Sequence, residues 1–336
     1  MESLESVASA LVRPLCGILA ADESIATMST RLSAAGIAPT ERNRRAYREM
    51  LVTTPGLNRG ISGVILCDET LRQRLDDGRP FPAALRELGI LPGIKVDNGP
   101  QPLAGAPGET VTEGLDGLLP RLREYAELGA AFAKWRAVLR IGAGRPTSLA
   151  VRANAQALGR YAAACQEAGL VPIVEPEVLM DGAHSLAHCA TVTSLVLLEV
   201  CTELRDYGAD LAGVVLKPNM VTAGREAGAP AGPDEVAEAT VGALAAVPVT
   251  TAGVAFLSGG QRPERATENL AAIQQQPHIW PLTFSFGRAL VDPALAAWRG
   301  QAAQWAAGQR ALAHRVGMNV AALHGRYTPE LELDPA

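Results

Sequence analysis

Nowhere in this chain of 336 residues do about 18 apolar residues run uninterrupted, so no stretch reads as a membrane-spanning helix. The pattern of a signal peptide is missing too: MESLESVASALVRPL carries acids where a signal needs cations, and Arg13 and Pro14 break its apolar run. Nor is there a basic field. Thirty basic residues against 35 acidic give a net charge of -5, which argues against nucleic-acid and membrane partners and requires any anionic ligand to be held locally. No CxxC occurs. The five cysteines are odd in number, widely spaced and mostly set in apolar segments, which suits reduced buried thiols rather than a disulfide framework. These absences together predict a soluble, unexported, cytoplasmic protein.

What the chain has is one phrase repeated: a short run of small and β-branched residues that ends in a charge or a glycine turn. The runs are GILAAD (17–22), GVILC (63–67), GIKVD (93–97), FAKWR (132–136), VPIVEPE (171–177), GVVLK (213–217), GVAFLS (253–258) and LTFSFG (282–287). Most are separated by Ala-, Leu-, Glu- and Arg-rich stretches of helical period. Their first residues lie 46, 30, 39, 39, 42, 40 and 29 positions apart, with no linker or composition shift between halves. Eight βα units in one chain predict an α/β fold, a single (β/α)8 TIM barrel domain over 1–336 with an N-terminal helical extension and a short C-terminal tail.

A barrel of this kind carries its chemistry at the C-terminal ends of its strands. Asp22 closes the first run, Lys95 and Asp97 the third, Lys134 and Arg136 the fourth, Glu175 and Glu177 the fifth and Lys217 the sixth, while Arg288 follows the eighth. In runs three to five the charges are spaced i, i+2, which in extended backbone puts both on one side. Lys217 is the most unusual of them, because Val214-Val215-Leu216 reads as an interior strand and lysine is rarely buried without a partner. The residues alone leave open an edge strand, a strand that ends before Lys217, or an amine whose burial favours the neutral, nucleophilic form. Two glycine turns, Ser258-Gly259-Gly260-Gln261 and Ser285-Phe286-Gly287-Arg288, follow runs seven and eight. Barrels commonly hold phosphate there, on backbone N–H groups and a short helix N-terminus.

The stretches GILAADES, DDGRPFP, GIKVDNG, PLAGAPGET, GLDGL, FAKWR, VPIVEPE, LKPNMVT, FLSGGQ and FSFGRAL together resemble class I fructose-bisphosphate aldolase, from about Gly17 to Pro329. The resemblance implies a (β/α)8 barrel, usually a homotetramer, acting without metal or cofactor on phosphorylated ketose and triose phosphates. By the same resemblance Lys217 is the Schiff-base lysine, Glu175 the acid/base for carbinolamine formation and dehydration, and Asp22 the group that helps deprotonate the C4 hydroxyl. Lys134, Arg136 and Glu177 complete the charged wall. Ser258, Gly259, Gly287 and Arg288 match the site of the C1 phosphate, and Ser24, Thr27 and Lys95 that of the far phosphate. The chain departs from the pattern at DESIATM, where a glycine is lost, at Asn98 and Phe286, which replace a lysine and a tyrosine, and in its short tail ELELDPA.

Other signals carry less. His184 and His188 in HSLAH are four apart and could share a helix face, which would suit a metal-dependent lyase, but no Glu follows the first as in HExxH. IGAGRP (141–146) lacks the third glycine of a dinucleotide fingerprint and reads as a loop. The small-residue connection 222–233 reads as a mouth loop or a spacer. A barrel kept only as a scaffold is the remaining alternative, and the full set of charges at the strand ends argues against it.

Overall fold

The computed structural model describes residues 2–228 and 230–333. The eight runs form β1 (Gly17–Ala20), β2 (Ile61–Leu66), β3 (Leu91–Lys95), β4 (Phe132–Leu139), β5 (Val171–Val178), β6 (Val215–Leu216), β7 (Gly253–Phe256) and β8 (Leu282–Phe286). Each strand pairs in parallel with its sequence neighbours, and β8 pairs back on β1, so the sheet closes without an edge. The predicted (β/α)8 barrel is therefore the observed architecture. Helices cover the outside, among them Ser148–Glu167, Leu186–Asp206, Pro233–Ala243, Pro263–Gln275 and Arg288–Trp298. Several start where a hydroxyl takes up a free N–H: Ser24 accepts from Thr27, Thr147 from Ala150 and Ser185 from His188. Leu186–Asp206 is long and apolar enough by composition to cross a membrane, yet Val192, Val196 and Val200 on one face are buried in the core.

The core has two layers. One lies between the barrel and its helices; the other fills the barrel from below, where Val7, Ala8 and Leu11 of the helix Leu4–Leu11 meet Ile18, Ile65, Phe132, Ile173 and Val215. The glycines that open several runs make room for this filling. A Cβ on Gly93 would stand 2.2 Å from the Phe132 ring and one on Gly17 2.3 Å from that of Phe284, so the strand backbone itself forms the seat of each ring.

β6 is shorter than the run that announces it. Leu211–Gly213 is a 3-10 turn and only Val215–Leu216 pairs as strand. Lys217 N–H still donates to Val174 O at 2.8 Å, but Pro218 has no N–H, and pairing resumes at a single bridge between Asn219 and Leu257. Asn219 repairs the gap, accepting from Val178 N–H through Oδ1 at 2.9 Å and donating to Thr193 through Nδ2. The five cysteines are free and buried, as expected. Of the tail, Pro329–Leu333 docks through Glu332 on Arg315 and Tyr327, while 334–336, like 1 and 229, lie outside the described residues.

Candidate active site

At the C-terminal ends of the strands lies a cavity of about 520 Å³, and every residue that the resemblance assigns to the site lines it. Its floor is a chain of charges. Lys217, immediately after β6, brings Nζ to 3.1 Å from Glu175 Oε1 on β5; Lys134 on β4 lies 3.1 Å from Glu175 Oε2 and 2.6 Å from Asp22 Oδ2 beyond β1. One carboxylate is thus shared by two ammonium groups that reach different oxygens. All three of Lys134, Glu175 and Lys217 are no more than 4% exposed. Glu175 Oε2 has no hydrogen-bond partner among the described residues, since the Lys134 contact lacks hydrogen-bond geometry.

Burial opposes every charge here, and the neighbours overcome it. Desolvation pushes Asp22 up, but Lys134, then Lys217, bring its carboxyl down to about 2. Burial likewise raises Glu175 while Lys134, Lys217 and Arg136 hold it below the usual carboxylate range. Desolvation lowers Lys134, yet Asp22, Glu175 and Asp97 keep its ammonium well above the ordinary lysine value. Both carboxylates are therefore ionised and Lys134 stays charged at neutral pH.

Further out, Arg136 Nε donates to Glu177 Oε2 at 2.6 Å, and Arg136 N–H to Asp97 Oδ2 at 3.2 Å. Asp97 also holds Lys95, whose Nζ lies 2.7 Å from Oδ1. Lys95 is thus folded back on a neighbour two residues along, and an incoming anion has to compete with that carboxylate. On the opposite rim Gly259 (φ 59) and Gly260 (φ 80) make a left-handed turn after Ser258. Arg288 is the first residue of the helix Arg288–Trp298, is exposed, and has no ion-pair partner among the described residues. Ser24 and Thr27 stand at the N-terminus of the helix Ile25–Ala34, their hydroxyls 3.0 Å apart, where the helix end favours an anion.

Among the charged lining residues, Arg31 and Glu23 were given no role by the sequence reading. Arg31 pairs with Glu23 and, at 2.6 Å, with Asp292. Its signal was the spacing 24, 27, 31, one face of a helix. Ser285 is buried with an unpartnered Oγ, and lies i, i+2 before Gly287, the spacing that marked the charged runs. The histidines do not share a helix face: His184 is buried before the N-cap Ser185, and His188 lies in the first turn beyond it.

The family model for fructose-bisphosphate aldolase class-I matches residues 3–335. A probable fructose-bisphosphate aldolase class 1 from Xanthomonas campestris pv. campestris is 49% identical over 330 residues, 97% of this chain and 99% of that protein. The chain belongs to the class-I fructose-bisphosphate aldolase family. Fructose-bisphosphate aldolase B of Gallus gallus is 48% identical over the whole of this chain and 93% of its own. Among solved structures, the Plasmodium falciparum fructose-bisphosphate aldolase, crystallised with TRAP and a small-molecule inhibitor, superposes with a TM-score of 0.95 at 45% identity, covering 97% of this chain and 95% of that one. Membership makes this chain a lyase of the metal-independent class.

The charge chain sets a pH prediction. Asp22 and Glu175, both depressed, lend the wild type stability that is complete above their unfolded pKa values near 4 and is lost as pH falls towards 2. Lys134→Met leaves Asp22 buried without its 2.6 Å partner, raising its pKa instead, so stability should fall as pH rises through that raised value. Urea unfolding should show a loss of about 3–5 kcal/mol at pH 7, recovered in part at pH 5. An unchanged pH profile would contradict the coupling.

Proposed function

We propose that this aldolase reversibly cleaves fructose 1,6-bisphosphate to dihydroxyacetone phosphate and glyceraldehyde 3-phosphate through an imine on Lys217, serving glycolysis and gluconeogenesis. The observation that carries the assignment is the 3.1 Å contact of Lys217 Nζ with an ionised, buried Glu175. Glu175 takes a proton from the Lys217 ammonium, which frees the lone pair that attacks the C2 carbonyl. It returns that proton to the carbinolamine hydroxyl, which departs as water. The protonated imine then draws in the electrons of the C3–C4 bond, and Asp22 accepts the C4 hydroxyl proton. Lys134, held charged between the two acids, engages the far oxygen of Glu175 while the near one faces Lys217.

The recognition residues fall into two groups. Ser258, Gly259, Gly287 and Arg288 would hold the phosphate nearest the imine carbon, with Arg288 supplying a fork that no carboxylate of the described residues occupies. Ser24, Thr27 and Lys95 would hold the far phosphate. Arg136 and Glu177 fix one another as the wall between. A homotetramer is part of the same reading: Leu195 and Leu198 on Leu186–Asp206 are each half exposed and three residues apart, a surface suited to a second copy. A solution mass near 35.1 kDa, rather than four times that, would remove it. The five buried free thiols and the likeness to a cytosolic Arabidopsis thaliana aldolase support a cytoplasmic place.

Borohydride reduction with dihydroxyacetone phosphate should put one adduct per chain on the Lys217 peptide, and Lys217→Ala should abolish cleavage; labelling at Lys134 would sink the assignment. Glu175→Gln should slow imine formation, whereas Asp22→Asn should let the imine accumulate uncleaved.

The phosphates separate by substrate. Arg288→Ala should lower kcat/KM for both fructose 1,6-bisphosphate and fructose 1-phosphate by roughly ten- to a hundredfold. Lys95→Ala should do so for the bisphosphate alone, and equal losses would place Lys95 at the reaction centre instead.

A further inference from the structure

Behind the glycine turn at Gly259 and Gly260 lies a second cavity of about 450 Å³ that the cleavage reaction does not use. One wall is the connection after β6, read from sequence as a mouth loop or a spacer. It is neither loose nor featureless. Gly224 N–H donates to His184 O at 2.9 Å, Arg225 N–H to Met180 O at 2.8 Å and Glu226 N–H to Gly182 O at 3.0 Å. The contact is so close that a Cβ on Gly224 would stand 2.1 Å from Gly182 O. This docking fixes where the Arg225 side chain leaves the backbone.

Three guanidiniums line the cavity, Arg225, Arg262 and Arg265, and no Asp or Glu does among the described residues. Arg225 Nη2 donates to Gly260 O at 3.1 Å. Arg265 donates to Ala231 O and pairs with Glu268 at 3.0 Å. Arg262 caps the helix Pro263–Gln275, is exposed, and has no side-chain hydrogen bond or ion pair among the described residues. Three cations around one hollow, of which only Arg265 has an ion pair among the described residues, repel each other, and an anion between them relieves that repulsion. The helix N-terminus adds its positive end to the same space. The remaining wall is small and apolar, from Ala223, Ala227 and Val236, and Asn269 beneath is buried with an unpartnered Oδ1. Planar forks set beside an apolar wall suit the phosphate of a small ester with a short carbon body.

We infer that this cavity is a third phosphate site, separate from the two proposed above for the sugar bisphosphate. Gly260 belongs to both cavities. A Cβ built on it would meet Arg225 Nη2 at 2.2 Å and Arg288 Nη2 at 3.0 Å, so one guanidinium from each site flanks the same residue.

Calorimetric titration with inorganic pyrophosphate at fixed ionic strength tests the site. The wild-type chain should take up one equivalent more than Arg262→Glu, or bind that equivalent at least tenfold more tightly. The difference should persist in an Arg288→Ala background, where the substrate-phosphate contact is gone, and in Lys217→Ala, where no imine can form. Arg225→Ala should weaken the same equivalent. Fructose 1,6-bisphosphate cleavage by Arg262→Glu should match wild type. Identical isotherms for wild type and Arg262→Glu would overturn the inference and leave the imine mechanism untouched. So would disappearance of the extra equivalent in Arg288→Ala, which would return it to the substrate's own site.

Discussion

A buried carboxylate shared by two lysines is the constraint on which the rest of this barrel depends. Taking an ion out of water costs several kcal/mol, and only close, complete pairing repays it. Glu175 is paired with Lys217 through one oxygen and Lys134 through the other, and Lys134 in turn holds Asp22. These groups come from β1, β4, β5 and β6, so the pairing tolerates little slip among four strands. The β4–β5 register places Arg136 beside Glu175 and Lys134 beside Ile173. A one-residue shift would turn Lys134 and Glu175, which lie within their strands, into the helix layer. Register is therefore pinned by the same contacts through which the proposed mechanism moves protons.

Charges at the mouth divide into those already satisfied and those left open. Lys134, Arg136 and Lys95 each have a carboxylate of their own, so a substrate meets them as a neutralised network. Arg288, exposed on a helix N-terminus without an acid partner among the described residues, meets it as an unspent positive charge. The first kind shifts the proton affinities of its partners, and the second is the charge assigned above to a phosphate of the substrate. Lys95 sits between the two classes, because the acid that holds it lies only two residues away and is also needed by the Arg136 backbone N–H.

Much of this was legible in the order of residues. Eight apolar runs alternating with helical stretches, seven of them closing on a charge or a glycine turn, point to a parallel barrel, because strands buried on both faces read as continuous apolar runs and carry their polar groups at their C-terminal ends. The i, i+2 pairs at 134/136 and 175/177 fall on the cavity side for the same reason. What escaped needed facts that no strand pattern contains. β6 is two residues long because Pro218 ends its ladder, and nothing in the composition of GVVLK marks the 3-10 turn that precedes it. Arg31 was hidden because it lies one helical turn beyond the motif DESIATM that drew notice to Ser24 and Thr27. The connection after β6 looked like filler because its small residues matter through close backbone approach, as at Gly224 against Gly182, and not through side-chain chemistry.

The helix Leu4–Leu11 fills the barrel from below with Val7, Ala8 and Leu11, and the active cavity opens at the other end. On the proposed mechanism, a substrate tethered at Lys217 is therefore in a blind well with one exit. After the C3–C4 bond breaks, the fragment still bound as an imine lies at the bottom and the free aldehyde lies above it. The aldehyde has to leave first, and in the synthetic direction the ketone has to enter first. The order of events in the reaction is in this sense already written into an amphipathic segment at the far side of the molecule, which touches neither substrate nor catalytic group.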